Sequence, residues 1–250
     1  TLVIAMLMMI TTLILIPCHR RLRKQHHIFP YNLVLSDLSA AIALACFEAY
    51  LYFGLPKELY YCTNIVWSTS IMVSLLSIAL VAGYQFITIR VDPFGSRNII
   101  TTPRLILTCI VTWLLGFTCS SSFIFLYSDE LTTVLLSLSL LTTIATGLCY
   151  LFIYRSIARV PWGGGITQER KEENQRVLRT FGLIFGTTVL CWICSWVTWA
   201  QSDAHTCLFY FSHVMISANW IANSIIYWWR LKEFRLIFGF CRKQRIDPLL

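Results

Sequence analysis

The stretch "ANWIANSIIYWWRLKEFRLIFGF", Ala218 to Phe240, starts as an apolar run and ends as something different. Asn219 and Asn223 stand one helical turn apart within it, and Tyr227 follows one turn later. From Arg230 onward, Arg230, Lys232, Glu233 and Arg235 are interleaved with Leu231, Phe234, Ile237 and Phe238, the pattern of a helix lying half in an apolar phase. An apolar segment that carries two amides and hands over to an interfacial helix reads as a membrane span lining a polar interior.

Working outward, the rest of the chain agrees. Hydrophobic residues make up 57% of the 250 and charged residues only 13%, about half the charged share usual in a soluble domain. Seven apolar segments fall at approximately 1–18, 30–54, 62–90, 104–127, 131–159, 176–201 and 207–229, most of them near the roughly 20 residues that cross about 30 Å of hydrocarbon. The first, Thr1 to Ile16, has no basic leader or cleavage site and reads as a span shortened at its start. The expected fold class is therefore all-α: a seven-helix membrane bundle over 1–229, an amphipathic juxtamembrane helix over 230–241 and a cytoplasmic tail over 242–250.

The net charge of +8 is explained by topology. Of the Lys and Arg residues, only Lys57 falls in the second, fourth or sixth connection; all others lie in the odd connections and the tail. Positive residues mark the cytoplasmic side, so the N-terminus is expected outside, in a multi-pass protein of the plasma membrane. The basic residues then face anionic lipid and give no reason to expect nucleic acid. Cys191 and Cys194 form a CxxC, but mid-span and without a second ligand pair, so zinc is disfavoured. Cys62 and Cys207 lie at outer span ends, where a disulfide and two free thiols are both open readings.

Polar groups inside hydrocarbon are costly, so each needs a partner or a cavity. Asp37, in "YNLVLSDLSA", has two readings: a hydrogen-bonded neutral carboxyl, or an ion or proton site. Ser74, Asn219 and Asn223 would complete an oxygen shell suited to a hard cation such as sodium if spans two, three and seven are neighbours. Glu48, eleven residues beyond Asp37, is either a snorkelling or salt-bridged group or the counter-ion of a cationic ligand. Trp67, Ser195, Trp196, Trp199 and His213 form either ordinary packing or the aromatic wall of an outer ligand site for a cation or lipid-like tail. No second acid pair, His cluster or inverted repeat is seen, which disfavours a transporter or an enzyme.

With these residues in place, the chain resembles a rhodopsin-like (class A) G protein-coupled receptor over nearly its whole length. "NLVLSDL" is similar to the second-helix N-L-x-x-x-D-L motif, Trp113 in "VTWLLGF" to the fourth-helix tryptophan, and "CWIC" at 191–194 to the sixth-helix C-W-x-P. "NWIANSIIY" resembles N-x-x-x-N-P-x-x-Y, "KEFRLIFGFC" the eighth helix, and Cys62 the cysteine that opens the third helix. The resemblance implies an extracellular ligand, a cytoplasmic heterotrimeric G protein, a sodium ion near Asp37 with no other cofactor, and a palmitoyl chain on Cys241. Trp192 and Tyr227 would act in its activation switch, with the family's Asp-Arg-Tyr position at Tyr84, Gln85 and Phe86 or one residue later.

Departures are equally specific. No acid-Arg pair stands at 84–86. Cys194 and Ser224 replace the sixth- and seventh-helix prolines. The third span offers Trp67 and Ser68 where amine receptors carry an acid, and the seventh has Ser217 but no lysine for retinal. The outer loop 127–133 is short and lacks Cys, a mouth similar to that of lipid and melanocortin-type receptors. The alternative is a heptahelical binding or scaffold protein that does not signal.

Overall fold

A computed structural model of the chain describes residues 2–18, 25–54, 56–91, 98–126, 129–159, 168–200 and 206–230. These residues form seven long helices and no strand: α1 (Leu2–Cys18), α2 (Ile28–Phe53), α3 (Lys57–Phe86), α4 (Thr102–Leu126), α5 (Asp129–Arg159), α6 (Gln168–Ala200) and α7 (Thr206–Arg230). The expected amphipathic helix at 230–241, apart from Arg230, lies outside the described residues, as do the tail and Cys241.

Local chemistry sets several ends. Gly54 takes the left-handed conformation after α2 (φ 61°, ψ 40°) and donates its N–H to the Tyr50 carbonyl at 3.0 Å. A side chain would strain that backbone, so glycine closes the helix. Pro56 then caps α3, whose first turn begins at Lys57, five residues before the apolar run starts. At its other end α3 passes into a π-helical turn, Ile87–Val91. Pro103 lies in the first turn of α4, where its missing N–H costs no hydrogen bond. Helix α6 also starts earlier than its apolar run, taking in the charged "QERKEENQR".

Helix α3 is central, packing against α2, α4, α5 and α6. Helix α1 lies against α2 and α7, and α7 against α6, so the helices close on themselves. Gly116 on α4 lets α3 come close: a Cβ there would stand 3.1 Å from Val73 Cγ2 and 3.3 Å from the Thr69 carbonyl oxygen.

Polarity runs opposite to that of a soluble protein. Leu107, Leu114, Leu115 and Phe117 of α4 and Leu141 and Phe152 of α5 are exposed. Asn32, Asp37, Gln85, Asn219 and Asn223 are buried. Such a surface is stable only against lipid. Five helical segments, Ile28–Tyr50, Lys57–Ile89, Thr102–Ser122, Ser137–Arg155 and Leu178–Thr198, are long and apolar enough to cross a bilayer, and Leu2–Cys18 is a shorter apolar helix. The protein is a multi-pass, membrane-embedded helical bundle.

Candidate functional site: a buried carboxylate beneath an aromatic layer

Asp37 is 1% exposed, buried in the interior. Ser74 Oγ of α3 donates to its Oδ1 at 2.7 Å and Asn223 Nδ2 of α7 donates to its Oδ2 at 3.0 Å. One carboxyl group thus joins three helices. Asn223 presents its NH₂ to Asp37, and its Oδ1 is left buried without a partner among the described residues. Asn219, placed by sequence in the same shell, turns instead to α6, where Thr188 Oγ1 donates to its Oδ1 at 3.1 Å. The structure therefore brings Asp37, Ser74 and Asn223 together and uses Asn219 to hold α6 to α7.

A second buried amide, which sequence reasoning passed over, holds the other side of α2. Asn32 Nδ2 donates to Ser77 Oγ at 2.8 Å, and Trp113 Nε1 of α4 donates to Asn32 Oδ1 at 2.9 Å. Further links join Trp228 Nε1 of α7 to Thr12 Oγ1 of α1 at 2.8 Å and Trp196 Nε1 of α6 to Ser139 Oγ of α5 at 3.2 Å. The readable signal for Asn32 was its place five residues before Asp37 in one motif; for Thr12, Ser139 and Thr188 no sequence signal separates them from other span hydroxyls.

Toward the start of α3 and the end of α6 the interior becomes aromatic. Trp67 stacks on His213 of α7 with ring centroids 5.3 Å apart and planes at 24°. Trp192 is buried with Ile71 and Leu75, and Trp67 and Trp196 pack on that cluster. Trp192 and Trp196 lie 6.4 Å apart. Ser195 is fully buried beside them, while Glu48 is half-buried on the Asp37 face of α2. The side chains of Trp199 and Tyr227 lie outside the described residues.

At the opposite end, Tyr84 meets Phe29 of α2 edge-on at 6.2 Å, and Phe86 packs on the main core. Gln85 is 3% exposed, and neither end of its amide has a partner among the described residues. Cys62 and Cys207 are free and exposed. Among the described residues no group of three or more His, Cys, Asp or Glu could hold a metal. No protein-family model matches the chain, and no curated protein matches it.

Proposed function

We propose that this protein is a plasma-membrane receptor of the rhodopsin-like kind, in which an extracellular ligand at the aromatic layer biases the helices toward an arrangement read by a cytoplasmic G protein. The observation that carries this reading is that the aromatic layer and the Asp37 network are built on the same helices. Trp67 and Ser74 both belong to α3, two turns apart, and His213 and Asn223 both belong to α7. A ligand that shifts Trp67 against His213 therefore also loads the bonds to Asp37. For a signal to result, the ligand must bind the two arrangements unequally.

Asp37, Ser74 and Asn223 offer only oxygen ligands, and the unpartnered Asn223 Oδ1 suits a hard cation. Sodium bound there would be held by these three residues and would neutralise a charge that is otherwise costly inside the membrane.

The basic connections fix the orientation in this reading. Tags inserted in 127–133 should be labelled from outside intact cells and tags in 161–170 should not; the opposite pattern would overturn the outside N-terminus.

A second reading, a heptahelical scaffold that does not signal, is favoured by one observation: Gln85 or Phe86, neither with a charge to pair, stands where the resembling family has its arginine. Guanine-nucleotide exchange in reconstituted membranes separates the two. The receptor reading expects weak or ligand-independent exchange in the parent, and lower basal exchange or a new ligand response in Tyr84→Asp with Gln85→Arg. Absence of exchange in both proteins, at normal surface expression, would replace the receptor by the scaffold.

A further inference from the structure

Side-chain hydroxyls in these helices have a consistent habit. Thr63, Ser77, Thr198 and Ser217 each donate to the carbonyl four residues earlier, at 2.6 to 2.9 Å. Ser70 and Ser195 do not. Both are 0% exposed, and neither hydroxyl has a partner among the described residues; the hydroxyls of Thr69 and Ser121 are unpartnered as well. The indoles show the same split. Trp113, Trp196 and Trp228 each donate to a side-chain oxygen of another helix, whereas Trp67 Nε1 is buried with no acceptor among the described residues.

Of these exceptions, Trp67, Ser70 and Ser195 stand on α3 and α6, which pack together. Trp67, Ser70, Ile71 and Ser74 follow helical spacing along one face of α3, and Trp192, Ser195 and Trp196 do so on α6. Trp67, Ile71, Trp192 and Trp196 share one apolar cluster. Ser70 is one turn from Ser74, which binds Asp37, and one turn from Trp67, which stacks on His213.

The chemistry of the three groups defines a guest. An indole N–H can only donate, so the guest must bring an acceptor, and the two hydroxyls can donate to the same or a second oxygen. The surrounding side chains are aromatic and aliphatic, so the remainder must be apolar. No Lys, Arg, Asp or Glu occurs in 59–86 of α3, 180–200 of α6 or 206–229 of α7. The Asp37 oxygens already accept two hydrogen bonds, and Glu48 lies about 10 Å farther along the bundle than Ser70 by helical rise. The layer itself supplies no charged side chain to pair with an ion, and the nearest carboxyl, Asp37, is already held by Ser74 and Asn223.

We infer that the layer formed by Trp67, Ser70, Trp192 and Ser195 binds an uncharged, largely apolar small molecule carrying an acceptor oxygen, such as a ketone, ester or ether. This rests on reading the layer as the ligand site and replaces the cationic guest that Glu48 suggests. The test is equilibrium dialysis of the full chain in lipid nanodiscs against adamantanone, adamantane and adamantylammonium, which share one skeleton. Each probe is compared between the parent and Trp67→Phe, Ser70→Ala and Ser195→Ala, alone and combined. Adamantanone binding should fall about tenfold in the combined variant, the loss expected for one or two hydrogen bonds, while adamantane binding stays within about twofold. The single serine variants guard against a folding defect and should each show part of the loss. Preferred binding of the ammonium probe, or equal losses for ketone and hydrocarbon, overturns the ligand class and leaves the layer as a site. Saturable binding of no probe overturns the layer itself. Neither result depends on a G protein, so failure here is separate from failure in nucleotide exchange.

Discussion

Asp37→Ala should lower stability by about 2 to 4 kcal/mol, whereas Asp37→Asn should cost less than about 1 kcal/mol. Alanine removes both acceptors at a fully enclosed position. Ser74 can turn its hydroxyl to the carbonyl of the preceding turn, as Ser77 does, but Asn223 Nδ2 has no such recourse and remains unpaired. The missing volume adds a cavity cost. Asparagine keeps the shape and the bond from Ser74, and Asn223 restores the second bond by turning its amide over, since its Oδ1 is free to accept. The two substitutions also separate packing from charge. The parent should melt higher in sodium than in a large organic cation, and Asp37→Asn should lose most of that difference, because only binding to the folded state shifts melting. Identical melting of the parent in both salts would leave Asp37 as a hydrogen-bonding group alone.

Gly116→Leu should destabilise the bundle by roughly 3 kcal/mol. The first added carbon already stands 3.1 Å from Val73 Cγ2 and 3.3 Å from a backbone oxygen of α3, and the oxygen cannot move without the helix. The larger side chain must push α4 away, stretching the Trp113 bond to Asn32. Gly116→Ala is different: the gain of up to about 1 kcal/mol in helix propensity opposes a contact only a few tenths of an ångström too tight, so its net effect should be small. Melting of both variants in detergent checks this, and a Leu variant as stable as the parent would mean that α3 and α4 do not meet at this glycine.

Much of the architecture was legible because a bilayer interior leaves few options. Long apolar runs had to become helices, and Asp37 had to find partners; Ser74 and Asn223 do meet it. Asn219 went elsewhere because a residue four positions before Asn223 lies one turn higher on α7, level with Thr188 of α6. Helical spacing fixes a face but not which neighbour that face meets. The helix start at Lys57 was harder to see, because a charged first turn continues a helix without adding to its apolar run. Ser70 was invisible for another reason: its sequence context matches that of hydroxyls which bond to their own helix, and only the packed bundle separates them.

Three indoles tie helix to helix: Trp113 joins α4 to α2, Trp196 joins α6 to α5, and Trp228 joins α7 to α1. An indole's emission colour and lifetime respond to the loss of its N–H partner and to wetting. The bundle thus carries three built-in optical gauges, one on each of three different helix borders. With every tryptophan but one of these three replaced by phenylalanine, each gauge in turn, light alone can report which border opens first, with no dye attached.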